Sequence, residues 1–410
     1  MNKGLDLVYF TLFPWENPYS SVSLSFTKEF AKNNRVFYIN HPYSIKDFVT
    51  NMGDDLVKTR RADLLKNQMQ YESIKNLDNV VAVHPPLTLP INWLPNGMLY
   101  EQFAAYNNKI ILKTIKKVID DYKLKDFIYL NCFNPFFAGV LPKDFGQLLS
   151  IYQCIDDMTQ EKYTARHGAR LEQTVMGKAD AVTVTSTELY NLYEQFNPNT
   201  HIVHNAVDIS IYKKVHEIQF PRPKEIANIN NKIIGFIGNM DKDRINYKLM
   251  KKIAQGHRDK TLLLIGPINN TEYKEIGLDK EPNVIFTGSK NIHDLPPYVQ
   301  HIDCAIIPFA CNTLTKSIYP LKINEYLAGG RAIVSTTFSE DIKSFSDNIY
   351  LAANEEEFVQ LIDRAIQENS PQKLAERVEV AMQNTWASRV KQVWEIVDQS
   401  LAKKTSKIHS

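Results

Sequence analysis

Lys322 and Glu325 stand three residues apart in the segment Tyr319-Pro320-Leu321-Lys322-Ile323-Asn324-Glu325-Tyr326-Leu327-Ala328-Gly329-Gly330. Residues so spaced share one face of a helix. Pro320 stands where a helix can begin, because its missing N–H is not needed there. Gly329-Gly330 stops the helix ahead of the apolar run Ala332–Ser335, which reads as a core strand. A helix start offers free N–H groups and partial positive charge. A lysine beside it adds a full charge, and a carboxylate accepts protons from hydroxyls. Together these suit a diphosphate and a ribose. A surface ion pair on an amphipathic helix is the other reading of the same two residues.

Two further segments have the right chemistry for a nucleotide. Gly235-Phe236-Ile237-Gly238-Asn239-Met240 follows an apolar run, and glycine at a strand-to-helix turn lets backbone approach a ligand closely. Arg244, a little further on, is either a phosphate partner or a solvated helix-start charge. Val284–Thr287 ends in Gly288, which leaves room for a flat base against backbone. The four cysteines, Cys132, Cys154, Cys304 and Cys311, have no zinc-type spacing and read as reduced interior thiols. None of His41, His84, His167 and His204 has metal-ligand spacing. His41, before Pro42 at a strand end, is the one worth testing.

The elements that must position these residues alternate. Strands are expected near Asp6–Phe10, Val36–Ile39, Val80–Val83, Phe127–Leu130, Leu149–Cys154, Ala181–Thr185 and Ile202–Val203. A second series runs Ile233–Ile237, Thr261–Ile265, Val284–Thr287, Cys304–Pro308, Ala332–Ser335 and Tyr350–Ala352. Helical patterns fall between them at Ser23–Asn33, Asn107–Asp121, Arg166–Lys178, Ser186–Phe196, Tyr247–Gln255, Leu295–Gln300 and Lys322–Gly329. Strands alternating with helices predict parallel sheets covered on both faces. The stretch Asp208–Lys232, with Pro221-Arg222-Pro223, lacks periodicity and reads as a linker. The expected domains are therefore 1–208, a linker 209–232, 233–385 and a terminal helix 386–410. Each half is a doubly wound α/β domain, and the ligand is expected in the cleft that two such domains make. Lys403–Ser410 reads as frayed.

Composition sets limits. A chain of 410 residues exceeds one ordinary core, and 44% hydrophobic with 23% charged residues is typical of a soluble globular protein. A formal net charge of +2 gives no global argument for nucleic acid. No signal peptide and no transmembrane stretch is read. Asn107–Lys123 is basic and amphipathic, so it either lies on an anionic membrane or packs its apolar face on the core.

In order, the chain reads Gly-x-Ile-Gly, Asn-Val-x-Phe-x-Gly, Leu-Pro-x-Tyr, Asp-x-x-x-x-Pro-Phe, then Pro-Leu-Lys-x-x-Glu-Tyr-Leu-Ala-Gly-Gly. This series resembles the C-terminal nucleotide-sugar domain of GT-B glycosyltransferases of the family 4-like type. It is nearest the bacterial group of teichuronic acid and xanthan-type polysaccharide transferases. Cys154-Ile155-Asp156-Asp157, the helix with Glu172, Ala179-Asp180-Ala181-Val182, Ser186 and His204-Asn205-Ala206-Val207-Asp208 follow that group's order in the first half. The resemblance covers nearly the whole chain, with 46–75 least matched, and it implies that 1–208 bind the acceptor, that 233–385 bind the nucleotide-sugar and that the helix 386–410 crosses back to the first domain.

The resemblance implies a hexosyltransferase-type enzyme. It would move sugar from a nucleotide diphosphate donor, UDP by preference, to a glycan, lipid-linked or small-molecule acceptor. It would act in the cytoplasm, peripheral at the inner membrane face where the acceptor is lipid-linked, with no nucleic-acid partner. Neither metal nor cofactor is expected, because protein cations and a helix N-terminus neutralise the leaving diphosphate. In the donor set, Lys322 would hold the diphosphate and Glu325 the ribose. Gly238, with Asn239 and Arg244, would lie near the pyrophosphate, Thr287 and Gly288 near the base, and Tyr319 and Leu321 beside them.

An inverting reaction would need a base, for which Asp157 is the first candidate and Asp156 the second. Asp157 reads as readily as the cap of a helix starting at Met158-Thr159. Trp15 and Tyr19, in the loop after the first strand, offer faces to an acceptor or pack as ordinary loop residues. Asn131 ends another strand at that rim. Many relatives carry a glutamate eight positions before the one matched by Glu325. Ser317 stands there instead, so a silent sugar-nucleotide-binding protein is the alternative, with a sugar-nucleotide epimerase behind it.

Overall fold

A computed structural model describes residues 4–16, 21–160 and 162–409. The chain divides into two compact units. The first is Met1–Thr185, Leu189–Val203 and Val390–Ser410, and the second is Ser186–Glu188 with His204–Arg389.

The first unit carries β1 (Asp6–Thr11), β2 (Val36–Ile39), β3 (Gln70–Ser73), β4 (Val80–His84), β5 (Phe127–Cys132), β6 (Gln147–Cys154), β7 (Ala181–Val184) and β8 (Thr200–Ile202). They form one sheet in the order β3-β4-β2-β1-β5-β6-β7-β8, parallel except for β3. Strands buried on both faces read as unbroken apolar runs, as Leu7–Phe10 and Phe127–Leu130 do. The helix Met98–Tyr122 lays Ile111, Ile115, Val118 and Ile119 against Val8, Phe10, Phe37 and Phe127 of this sheet. That spacing of four, three and one is the core-facing stripe of a helix.

The second unit has β9 (Ile233–Ile237), β10 (Thr261–Ile265), β11 (Val284–Gly288), β12 (Cys304–Ile307), β13 (Ala332–Thr336) and β14 (Tyr350–Ala352). Its six strands are parallel and run β11-β10-β9-β12-β13-β14. This is the doubly wound order of dinucleotide-binding domains. It reverses direction between β9 and β12, so the carboxyl ends of those two strands frame the crevice where ligands bind.

Three expectations change. Ile209–Glu217 is a helix and no linker: Ile211, Tyr212 and Val215 are buried in the second unit's core, and Asp208 caps the helix by accepting from Ser210 N–H. The second unit accordingly takes in His204 onward. The terminal helix Trp386–His409 is continuous through the stretch expected to fray. From Val390 it belongs to the first unit, where Trp394 meets Phe30 edge-on at 5.8 Å and Asn199 donates to Ser400 at 2.9 Å. The helix at Asn107 begins nine residues earlier, at Met98.

Candidate functional site

The second unit gathers its ligand-type residues at the ends of β9 and β12. Gly238 follows β9 with φ 150°, and a Cβ there would lie 2.1 Å from Lys322 Cε and 2.6 Å from Nζ. The ammonium therefore occupies the space a side chain at 238 would take. Gly266, after β10 with φ 141°, packs so closely that its Cβ would lie 2.0 Å from the Gly238 carbonyl oxygen. Backbone cannot yield at Gly266, and the φ at both positions is one that side chains rarely adopt, so both need glycine.

The helix Leu321–Ala328 has Pro320 at its cap position, with no side chain bonded to its first N–H groups. Pro320 thus sits one place before the first turn, and the helix N-terminus is left open to an anion. Lys322 Nζ lies 5.7 Å from the Phe236 ring centre and 5.6 Å from that of Phe309, residues of β9 and of the loop after β12. Among the described residues no carboxylate lies within 4 Å of this ammonium. Burial holds the Lys322 pKa below its ordinary value. Glu325 opposes that shift, and the charge of Arg244 adds to it. Burial pushes the Glu325 carboxyl up to about 7, against the pull of Lys322 and a hydrogen bond from the Tyr212 hydroxyl.

The structure thus brings Gly238, Arg244, Lys322 and Glu325 together. Pairing on the surface does not describe Lys322 and Glu325, which are half-buried and held by other elements. The loop carrying Arg244 runs along the segment after β12: Ala310 N–H donates to Arg244 O at 2.9 Å, and Asn246 N–H to Pro308 O at 2.9 Å. Arg244 lies in this loop and not at a helix start, since the next helix, Tyr247–Gly256, is capped by Asn246. Asn239 is exposed beside Gly238. Gly288 adopts φ 72° at the end of β11 with open space around its would-be Cβ, and Thr287 Oγ1 donates to its carbonyl at 3.0 Å. Leu321 is half-buried at the helix start. Tyr319 is buried, stacks on His204 at 4.4 Å and bonds Asn324, so it braces the loop and is covered from solvent.

Ser317 is buried, and its hydroxyl donates to Leu314 O at 2.8 Å, closing the short helix Thr313–Lys316. Its carbonyl accepts from Ser186 Oγ at 2.7 Å. Two residues escaped sequence reading. Tyr212 lay in the stretch taken as linker. Gly266 was visible as a glycine after an apolar strand, the same signal as Gly238.

In the first unit Asp157 takes the capping geometry. Its Oδ1 accepts from Thr159 N–H at 2.9 Å and from the Thr159 hydroxyl at 2.7 Å, and Oδ2 accepts from Gln160 at 3.1 Å. Oδ2 keeps lone-pair capacity beyond that one bond. Asp156 Oδ1 accepts the Asp157 N–H at 2.9 Å. Behind them Glu172 is fully buried, accepts from Tyr152 at 2.8 Å, and is pushed up to about 7 by burial.

Asn131 is buried and turned inward. Its amide donates to Asn134 O at 2.9 Å and accepts from Asn134 N–H at 3.0 Å, so it builds the loop and is not offered to an acceptor. Trp15 is half-buried, its ring against Tyr38 at 5.1 Å and its backbone N–H donating to Asn40 Oδ1 at 2.7 Å. Tyr19 lies outside the described residues. His41 Nδ1 lies 3.0 Å from Asn134 Nδ2, and burial lowers its pKa to about 4. Glu16, Glu72 and His84 converge closely enough to resemble a metal set. The Arg60 guanidinium pairs with both glutamates and offsets one of their two charges.

Residues 231–368 match the family described as Glycosyl transferases group 1. TuaH of Bacillus subtilis (strain 168), which carries the name teichuronic acid biosynthesis glycosyltransferase, is 25% identical over 231 residues, 54% of this chain. The match spans 57% of that relative's length. Sucrose-phosphate synthase from Thermosynechococcus elongatus is 14% identical with a TM-score of 0.64, over 97% of this chain and 100% of that one. Alr3699/HepE of Anabaena, solved in complex with UDP and with UDP-glucose, is 14% identical over 96% of this chain and 100% of that one, with TM-scores of 0.65 and 0.62. The chain thus carries a group 1 glycosyl transferase domain, is a homologue of a teichuronic acid glycosyltransferase, and has two parallel-sheet domains like those of the GT-B enzymes.

Proposed function

We propose that this chain is a hexosyltransferase-type glycosyltransferase. It moves a sugar from a nucleotide diphosphate donor, UDP-linked, to a hydroxyl of a glycan, lipid-linked or small-molecule acceptor, and it needs no metal ion. One observation carries the reading: a half-buried lysine with no carboxylate among the described residues within 4 Å, pressed against glycine backbone at an uncapped helix start, with Glu325 one turn away. Such an arrangement is poised for a diphosphate and a ribose.

In the reaction the bond from the anomeric carbon to the diphosphate oxygen breaks, and one to the acceptor oxygen forms. Negative charge grows on the leaving diphosphate. Lys322, Arg244 and the helix N–H groups stabilise it, which is the part a divalent cation plays elsewhere. Glu325 accepts from the ribose hydroxyls, and Thr287-Gly288 flank the base. The acceptor hydroxyl loses its proton to Asp157, or to Asp156, as the new bond forms. The reading assigns the protein to the cytoplasm. No helix among the described residues is long and apolar enough to cross a membrane.

Calorimetric titration with UDP tests the donor site. Lys322→Ala is expected to weaken binding about thirtyfold or more, the loss of a charge-assisted contact of about 2 kcal/mol or more. Affinity unchanged within about twofold, in a folded variant, sinks the assignment. Ser317, which offers no carboxylate where many relatives have one, favours a second reading as a sugar-nucleotide-binding protein without turnover. Release of free sugar or UDP from UDP-glucose by wild type, lost in Asp157→Asn with UDP affinity kept, separates the two.

A further inference from the structure

We propose that the cavity at the strand ends of the first unit binds an anionic amphiphile, an apolar chain carrying a phosphate. In calling this ligand the acceptor, the proposal rests on the transferase reading above. The cavity has a volume of about 500 Å³ and is walled by Leu12, Pro42, Leu89, Ile91, Phe136 and Phe137. It lies beyond the carboxyl ends of β1, β2 and β5, where His41 also lines it.

Two cations line the same cavity, Lys46 and Arg166. Among the described residues neither has a carboxylate within 4 Å. Among the described residues the one carboxylate in the lining is Asp47, whose Oδ2 accepts from Ser44 N–H at 2.9 Å and from the Ser44 hydroxyl at 2.7 Å. It is spent on capping the helix Ile45–Thr50. The lining is therefore apolar with a net positive charge, and the ligand that complements it is apolar with a negative one.

The rim says how that ligand arrives. Trp93, at the cavity edge, is 68% exposed, and Met98 and Leu99, at the start of the helix whose Tyr100 lines the cavity, are 79% and 52% exposed. Phe103 and Tyr106 are exposed further along that helix, and Ile45 beside Lys46. At about 100° per residue, Met98, Leu99, Phe103, Tyr106, Lys109 and Lys113 fall on one arc of about 140°. Large apolar and aromatic side chains left in water, beside lysines with no carboxylate within 4 Å among the described residues, are what an anionic bilayer surface covers. The rim thus rests on the lipid in which the chain of the acceptor is anchored, and the cavity takes the phosphate and the first part of that chain. An acidic sugar stacked on Trp93 would use the same cations, but it would leave the apolar rim uncovered.

Binding to the full chain is measured with dodecyl phosphate below its micellar concentration, followed by Trp93 emission with Trp93→Phe as the blank. Inorganic phosphate and glucuronate are the other arms. Dodecyl phosphate is expected to bind at least about a hundredfold tighter than either, and Lys46→Ala/Arg166→Ala to weaken it at least about tenfold. Leu99→Glu/Phe103→Glu is expected to abolish co-sedimentation with phosphatidylcholine–phosphatidylglycerol vesicles. Dodecyl phosphate binding no tighter than inorganic phosphate, or untouched by the double alanine variant, overturns the proposal. Glucuronate binding as tightly as dodecyl phosphate overturns it in favour of an acidic sugar. No nucleotide enters this experiment, so its failure is distinct from failure of the UDP titration.

Discussion

Replacing Glu325 with glutamine should stabilise the unliganded second unit and weaken UDP at pH 8, and change both little at pH 5. The carboxyl is pushed from its ordinary 4.5 up to about 7, first by burial, with Lys322 and the Tyr212 hydroxyl pulling the other way. The folded protein therefore holds this proton more tightly than the unfolded chain does. The stability that lends is whole below about 4.5 and is lost as pH rises through about 7. At pH 8 the ionised carboxylate costs the folded state about 3 kcal/mol, and at pH 5 less than about 1 kcal/mol. Partial exposure of the group screens this, leaving about 1.5–3 kcal/mol at pH 8. Glutamine keeps the shape and an acceptor for Tyr212 and removes the charge. For a unit of this size the gain corresponds to about 3–12 °C in Tm. A chain of two units does not unfold in one step, so the transition to follow is the one that UDP shifts upward. At pH 8 the UDP Kd should rise about five- to thirtyfold through loss of a charged acceptor for the ribose. An equal Tm difference at both pH values, or a variant less stable than wild type at pH 8, would refute the reasoning.

Lys322→Met should likewise raise the Tm of the free protein, because burial and Arg244 disfavour the ammonium in the folded state. Here the folded pKa lies below the unfolded one, so scanning calorimetry should show the gain shrinking at strongly alkaline pH. Gly238→Ala puts a Cβ 2.1 Å from Lys322 Cε, so equilibrium dialysis should find UDP binding reduced at least about tenfold by the displaced ammonium. Asp157→Asn keeps a cap-forming side chain, so chemical denaturation should show a loss of no more than about 1 kcal/mol while transfer falls by at least about a hundredfold.

Most strands among the described residues could be read because a strand covered on both faces is an apolar run, as Leu262–Ile265 shows, while the more exposed edges Thr200–Ile202, Val284–Gly288 and Tyr350–Ala352 were placed from their few apolar residues. β3 was not: Gln70–Ser73 is a half-exposed antiparallel edge, held by its pairing with β4 and not by its own composition. The first turns of the helix Met98–Tyr122 were missed for the opposite reason. They present Met98, Leu99, Phe103 and Tyr106 to solvent, so the polar–apolar alternation that marks a surface helix is absent there. In the site, Gly238, Lys322 and Glu325 were legible because each carries its chemistry in its own segment. Tyr212 was not, since its role exists only once the helix Ile209–Glu217 packs against the helix of Glu325. The inward turn of Asn131 was equally invisible, because it depends on how the loop after β5 folds over itself.

The first unit is assembled from three stretches of chain, and the last of them begins at Val390. The ribosome makes all of the second unit's main stretch, His204–Arg389, before it reaches those residues. During synthesis the second unit can close its sheet while the first still lacks the helix that covers Phe30 through Trp394. The order of birth is therefore reversed: the unit begun first is finished last. Until then the helix Val22–Phe30 stands without the partner of its last ring, the stage at which a chaperone has most to hold.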